Sequence, residues 1–364
     1  MSQTVIPFGD PRAQKRWANL LAVDALSKSY FQKKFIGTGD NAIIHQKTEL
    51  ESDAGDTVSF DLSVQLKGKP TTGDNRIKGR EENLRFYTDS VTIDQIRHSV
   101  SAGGRMTRKR TAHDLRKIAK DRLSDYWAEY MDQITFIYLS GARGINQDFY
   151  EDTDYTGFAT NALQAPDAQH LVYGGVATSK ASMVSTDIMS RDLIEKINTN
   201  AGMIRALDPD AANMVPVSIE GEQRYVLLMS LFQEYSLRTN TGTTGWLELQ
   251  KAAAQAEGSD NKLFKGSLGM INNVILHSHK SVIRFSDYGA GANLPASRAL
   301  FMARQAGVVA YGVPGGNRFM WEEDVDDYGN EPTVVAGTIF GMKKTRFNNR
   351  DFGVIAVDTY SAAP

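Results

Sequence analysis

His277 and His279 stand two apart in NNVILHSHKSVIRF, a run that reads as strand. Side chains alternate across a strand, so both imidazoles would face one side, as a shared metal ion requires. No third ligand accompanies them, since His45, His98, His113 and His170 are scattered. An isolated His-x-His is more often a polar strand face, so no metal is predicted. Two acidic clusters carry the hard oxygens that suit calcium: Asp148, Glu151, Asp152 and Asp154, then Glu322, Glu323, Asp324, Asp326 and Asp327. Neither has a calcium-loop spacing, and both read as solvated loops or as salt partners for a basic surface on another subunit. Gly68 to Gly73 fits GxxxxG, but Asp74 and Asn75 follow where a phosphate-binding loop needs Lys and Ser or Thr. Gly312, Gly315 and Gly316, like Gly289 and Gly291, lack the strand–turn–helix setting of a dinucleotide site and read as turns. There is no cysteine, no GxSxG and no HExxH, so no catalytic residue and no cofactor is nominated.

The chain that must position these residues has 364 of them, 41% hydrophobic and 23% charged. That is an ordinary globular composition, with room for two or three domains at roughly 150 residues each. Lys plus Arg number 41 against 43 Asp plus Glu, a net charge of -2. A chain-wide polycationic nucleic-acid binder is thereby excluded, and any DNA affinity must be local. No stretch approaches the roughly 18 apolar residues of a membrane span, and no secretory signal opens the chain, so a cytosolic protein without a membrane partner is expected.

Five segments follow from periodicity and turn signals. Residues 1–54 form an arm, in which Trp17, Leu20, Leu21, Tyr30, Phe31 and Phe35 are interleaved with Lys and Arg. Packing on its own domain and lying across a neighbour are equally open to it. Residues 55–96 form a hairpin. Val58, Phe60, Leu62, Val64 and Leu66 alternate with polar residues, and a second strand is predicted over Leu84 to Ile93. Between them Lys67 and the run GKPTTGDNRIKGREEN make a long tip carrying Lys67, Lys69, Arg76, Lys78 and Arg80. Ordinary hairpin loops have about two to five residues, so this tip is either disordered or reaches for something. Residues 97–187 contain a helix predicted from Thr111 to about Ser140, basic in its first half and aromatic in its second. Residues 188–310 read as an α/β unit, with helices over 187–206, Thr244–Ala256 and Ser297–Ala310 around a strand at Arg224–Leu231. Residues 311–364 contain the strand runs TVVAGTIFG and DFGVIAVDT.

The order of these parts resembles the tailed-phage major capsid proteins of the Hong Kong 97 fold, more specifically the family typified by the N4-like phages. The resemblance sits in GDTVSFDLSVQL (Gly55 to Leu66), KGSLGMINNVILH (Lys265 to His277) and GTIFGMKKTRFNNRDFGVIAVDT (Gly337 to Thr359). Asn273 stands where that family often has glycine, so the geometry of its turn is in question.

The resemblance implies an α+β Hong Kong 97-type fold with an N-terminal arm, an E-loop hairpin at 55–96, and a P-domain at 97–187 built on a spine helix. It further implies an inserted A-domain at 188–310 and C-terminal strands, 311–364, returning to the P-domain. The implied function is a major capsid protein whose copies, as hexamers and pentamers, close an icosahedral shell that holds double-stranded DNA by enclosure. Portal and decoration proteins are implied partners. Because about 55 residues precede the hairpin, a separate scaffold protein is expected as well. The virion capsid is the expected location, assembled in the host bacterial cytoplasm. Lys67, Lys69, Arg76, Lys78 and Arg80 are the expected intersubunit contacts, with Asp148, Glu151, Asp152, Asp154, Glu322 and Glu323 as acidic partners. The rival readings are an encapsulin-like compartment, a tail or decoration protein, and a metal-dependent α/β enzyme using His277 and His279.

Overall fold

One long helix and two sheets organise the chain. The computed structural model describes residues 25, 28–51, 54–63, 66–101, 103–111, 114–207, 212–219, 221–239, 268–313, 318–326, 328 and 330–363. The outer part of the expected arm and the helix expected over Thr244–Ala256 lie outside the described residues.

The long helix, Leu115–Ser140, places Leu123, Trp127, Tyr130, Ile134 and Ile137 on its buried side at three- and four-residue steps. Asp114 caps it, its carboxylate accepting the Lys117 N–H at 3.2 Å. Gly141 ends it at φ +68, where a Cβ would collide with the Gln164 carbonyl. The expected start at Thr111 is corrected: Arg105–Arg110 form a separate short helix, and Thr111 is extended (φ −105, ψ 144) between the two. Lys120, on the basic half, is buried.

The first sheet runs Ile36–Gly37, Ile44–Lys47, Gly307–Tyr311, Glu331–Lys344 and Met320–Asp326, with Asp94–Ser101 also paired to Glu331–Lys344. Gly337 in the GTIFG motif is required by this last pairing, and Gly341 by the chain just before it, at Thr92 and Ile93. A Cβ on Gly337 would lie 2.9 Å from the Ile96 carbonyl oxygen, and one on Gly341 would overlap that of Thr92.

The second sheet runs Gly269–Ile271, Val274–Ser278, Glu222–Met229, Leu294–Met302, Val354–Tyr360 and Leu171–Tyr173. Arg284–Tyr288 and Val217–Ile219 attach at its sides. A helix, Arg191–Leu207, packs its apolar stripe of Leu193, Ile194, Ile197 and Ala201 on this sheet. Asn272 and Asn273 both take positive φ (39 and 66) in the two-residue turn joining Gly269–Ile271 to Val274–Ser278. Asparagine tolerates that region, so the departure from glycine at 273 leaves the hairpin intact.

The helix expected over Ser297–Ala310 is also corrected. Leu294–Met302 is a strand held on both sides, by Glu222–Met229 and Val354–Tyr360, and Gly307–Tyr311 is a strand of the other sheet. Ala296 to Met302 are all buried. A strand covered on both faces is continuously apolar, so period two disappears, and its Ala, Leu and Met then mimic a helix. The sheets cut across sequence order: Gly307–Tyr311 straddles the expected 310/311 division, and 311–364 supplies strands to both.

Candidate assembly surfaces

The hairpin pairs Thr57–Ser63 with Phe86–Thr92, from Thr57↔Thr92 to Ser63↔Phe86, and among the described residues no third strand pairs with it. Its base is anchored. Val58 and Val91 pack with Leu50, Ile93, Val308 and Ala310. Farther out the apolar side chains have nothing to cover them: Leu66, Ile77, Leu84 and Phe86 are 56–66% exposed. The tip beyond is irregular, yet locally ordered by carboxylates. Glu82 accepts the Lys67 and Gly68 N–H groups at 2.9 and 2.6 Å, and Glu81 accepts that of Gly79 at 2.6 Å. Backbone donors hold both carboxyls below their usual range, those of Lys67 and Gly68 for Glu82, and those of Glu81 itself and Gly79 for Glu81. Lys67, Lys69, Arg76, Lys78 and Arg80 are all exposed. Among the described residues, Lys69, Arg76, Lys78 and Arg80 enter no ion pair.

Of the acidic residues singled out from the sequence, Asp148, Asp152, Asp154 and Glu322 are exposed. Glu151 and Glu323 are half-buried and already accept hydrogen bonds, from the Tyr130 hydroxyl at 2.7 Å and the Trp321 indole N–H at 3.1 Å. Glu322 and Glu323 lie on Met320–Asp326, which is last in the order of the first sheet. Charged residues there disfavour uncontrolled strand addition.

His277, within Val274–Ser278, and His279, just beyond its end, both face aromatic rings. Tyr30 contacts both, Phe35 packs on His277, and Phe136 stacks on His279 at 5.1 Å. Burial first, then Lys280 and Lys34, push His279 down to about 4, so it is neutral at pH 7. Among the described residues no group of three His, Asp or Glu side chains is placed to hold a metal ion.

Three polar junctions are not legible in the sequence. Asp132, near the middle of the long helix, accepts the Ser29 hydroxyl at 2.7 Å and the Tyr30 and Phe31 N–H groups at 2.8 and 3.1 Å. It thereby seals the start of the short arm helix Tyr30–Lys34, whose N-cap is Ser29. Burial pushes its carboxyl up to about 6, while these hydrogen bonds work the other way. Arg298 makes a two-pronged pair with Asp358 at 2.7 Å and donates to the Ser140 carbonyl at 3.0 Å, tying the end of the long helix to the second sheet. Tyr288 donates to the same Asp358 at 2.6 Å. Lys344 and Asp351, both buried, pair at 2.6 Å across the turn after the longest strand. Each junction joins residues that the chain brings together from separate elements, so the only signal in the sequence is a polar residue inside an apolar run.

Comparison with known proteins gives one consistent picture. The family described as phage capsid protein matches residues 5–363. The chain is 26% identical over 356 residues to the major capsid protein of Pseudomonas phage KPP25, covering 90% of each. It is similar to the capsid of Ralstonia phage GP4 at 65% identity and a TM-score of 0.87, over 100% of this chain and 99% of that one. The capsid of cyanophage Pam1, 21% identical, shares the fold at a TM-score of 0.73 over 93% of this chain and 94% of that one.

Proposed function

From its membership of the phage capsid protein family, to which the chain belongs, we propose how this subunit divides its labour in the shell. The protein is a tailed-phage major capsid protein, and copies of it build the icosahedral shell of the virion. The observation that carries this is full-length similarity, at 65% identity, to the capsid of Ralstonia phage GP4. Its role is structural.

Within that role the hairpin at 55–96 is read as the E-loop. The exposed apolar residues Leu66, Ile77, Leu84 and Phe86 and the exposed cations of its tip suit a segment completed by a neighbouring subunit. Asp148, Asp152, Asp154 and Glu322 are the neighbour's acids best placed to meet those cations, because they are exposed. Glu151 and Glu323, already engaged within the chain, are secondary partners. Leu115–Ser140 is read as the spine helix of a P-domain at 97–187, with 188–310 as the A-domain. Hexamers and pentamers, a portal, a separate scaffold, an optional decoration protein, enclosed double-stranded DNA and assembly in the host cytoplasm complete the reading, as does a place among the N4-like phages.

Deleting residues 67–83 and imaging the expressed protein by electron microscopy tests it. The expected result is a folded, unassembled subunit where the intact chain gives shells. Normal shells from the deleted chain would overturn the E-loop assignment.

A further inference from the structure

One strongly charged surface has no part in the subunit contacts described above. Between Arg105 and Arg122 the sequence places eight Lys or Arg against Asp114 and Asp121, in a chain of net charge -2. The short helix Arg105–Arg110 and the opening turns of the long helix leave Arg105, Lys109, Arg110, Lys117 and Arg122 exposed. The acids nearby are mostly engaged. Asp114 caps the long helix through the Lys117 N–H, and Asp125 is shared by Lys28 at 2.7 Å and Arg122 at 3.4 Å. Asp121 remains exposed. Apolar exposure on the two helical stretches comes from Met106 and Ile118, without an exposed aromatic ring.

We propose that this surface contacts the phosphate backbone of the packaged double-stranded DNA, without regard to its sequence. The inference rests on the shell reading above and adds a direct contact to simple enclosure. Two observations select DNA over a protein partner. Interface cores between proteins are enriched in aromatic residues and depleted of Lys, whereas a non-specific nucleic-acid footprint is Lys and Arg clustered along a helix. The hairpin tip is the internal contrast, since its cations alternate with exposed Leu66, Ile77, Leu84 and Phe86. Contacts of this kind are individually weak and salt-labile, but every subunit repeats them.

The test measures binding of a random-sequence duplex to the unassembled full chain by fluorescence anisotropy across a salt series. Lys109→Gln/Arg110→Gln/Lys117→Gln/Arg122→Gln is compared with wild type and with the hairpin control Lys67→Gln/Lys69→Gln/Lys78→Gln. The helix variant is expected to bind at least about tenfold more weakly at low salt, with the slope of log affinity against log salt shallower by about 0.9 for each phosphate no longer neutralised. It should still form shells, and the hairpin control should bind DNA as wild type does. Unchanged DNA binding in the helix variant overturns the proposal. So does a helix variant that fails to assemble while polyglutamate displaces DNA from the wild type, which would assign the surface to an acidic protein partner. Should the helix variant not fold, lysine-acetylation footprinting of the wild type decides: DNA is expected to protect Lys109 and Lys117, and unprotected lysines overturn the proposal. Absence of shells from the wild type would instead strike the shell reading, leaving the DNA measurement to stand by itself.

Discussion

The long helix and the hairpin show two ways of satisfying a polypeptide. From Asp132 to Ser140 every position of the helix is buried, and its polar side chains are met from within the chain. Asp132 holds the arm, Gln133 donates to the Asp148 carbonyl and accepts the Tyr150 N–H, and Tyr138 donates to the Asn161 carbonyl. The hairpin buries Val58 and Val91 at its base, then runs outward with Leu84 and Phe86 more than half exposed. Two strands alone are marginal in water, and apolar area left in contact with it forgoes about 25 cal/mol per Å². The helix is completed by its own chain, whereas the outer hairpin is not, as the neighbour contact proposed above requires. A subunit that keeps these two regions apart can be stable alone and still gain from assembly.

The largest expected effect strikes the self-completed region. Asp358→Ala leaves Arg298 buried beside Ser140 without its carboxylate, which should cost the unassembled subunit about 3–5 kcal/mol. Trp127→Ala, at a fully buried site, should cost a similar amount, about 3–5 kcal/mol. Denaturant midpoints of the unassembled chain measure both. Unchanged midpoints would mean that the long helix is not where the stability of the free subunit resides.

Asp132 sharpens the comparison through pH. Its carboxyl is raised from 3.8 to about 6 by burial. Between those values the native state binds a proton that the unfolded chain does not. Its contribution should therefore grow as pH falls from 7 through 6 and level off near 4. A shift of this size corresponds to a difference on the order of 3 kcal/mol. Glu129, held below its ordinary range first by the hydrogen bond from Lys280, contributes in the opposite sense as it protonates. The informative quantity is thus wild type minus Asp132→Asn, measured by chemical denaturation at pH 7 and pH 5. That difference should favour the wild type more at pH 5, and a change of the opposite sign would show that the hydrogen bonds from Ser29, Tyr30 and Phe31 dominate burial.

Leu84→Ser and Phe86→Ser should be nearly silent in the free subunit, within about 0.5 kcal/mol, because both sites are exposed there. The yield of shells, counted by electron microscopy, should fall. Loss of stability without loss of assembly would reverse the roles of the two regions.

What can be read in advance follows the range of the interactions. The alternation of Val58, Phe60 and Leu62 and the helical spacing of Leu123, Trp127, Tyr130 and Ile134 are local patterns, and both elements form where those patterns lie. The Gly337 and Gly341 motif is visible as a resemblance, but its steric reason, the close approach of the segment from Thr92 into the paired strand Asp94–Ser101, is visible only in the fold. Ser29 and Asp132 are 103 residues apart, and Arg298 and Asp358 are 60 apart. Nothing in either local sequence marks one as the partner of the other. Leu294–Met302 imitates a helix because burial on both faces removes the alternation that identifies a strand. Exposure of the tip cations follows from composition.

The smallest expected effect per residue concerns those cations. An exposed ion pair contributes about 0–1 kcal/mol and is screened within about 8 Å at physiological salt. Lys78→Gln alone should therefore leave both assembly and stability almost unchanged. Around a closed shell the same weak attraction recurs at every subunit, and attraction of this kind acts mainly on how fast surfaces meet and in which register. Apolar contact responds far less to moderate salt, and the hairpin offers such contact at Leu66, Ile77, Leu84 and Phe86. Assembly followed by light scattering should thus slow and lose register as salt rises, while preformed shells melt at nearly the same temperature across the series. Equal salt sensitivity in the two measurements would mean that the charged tip also holds the finished shell, and the exposed apolar residues of the hairpin would then need another explanation.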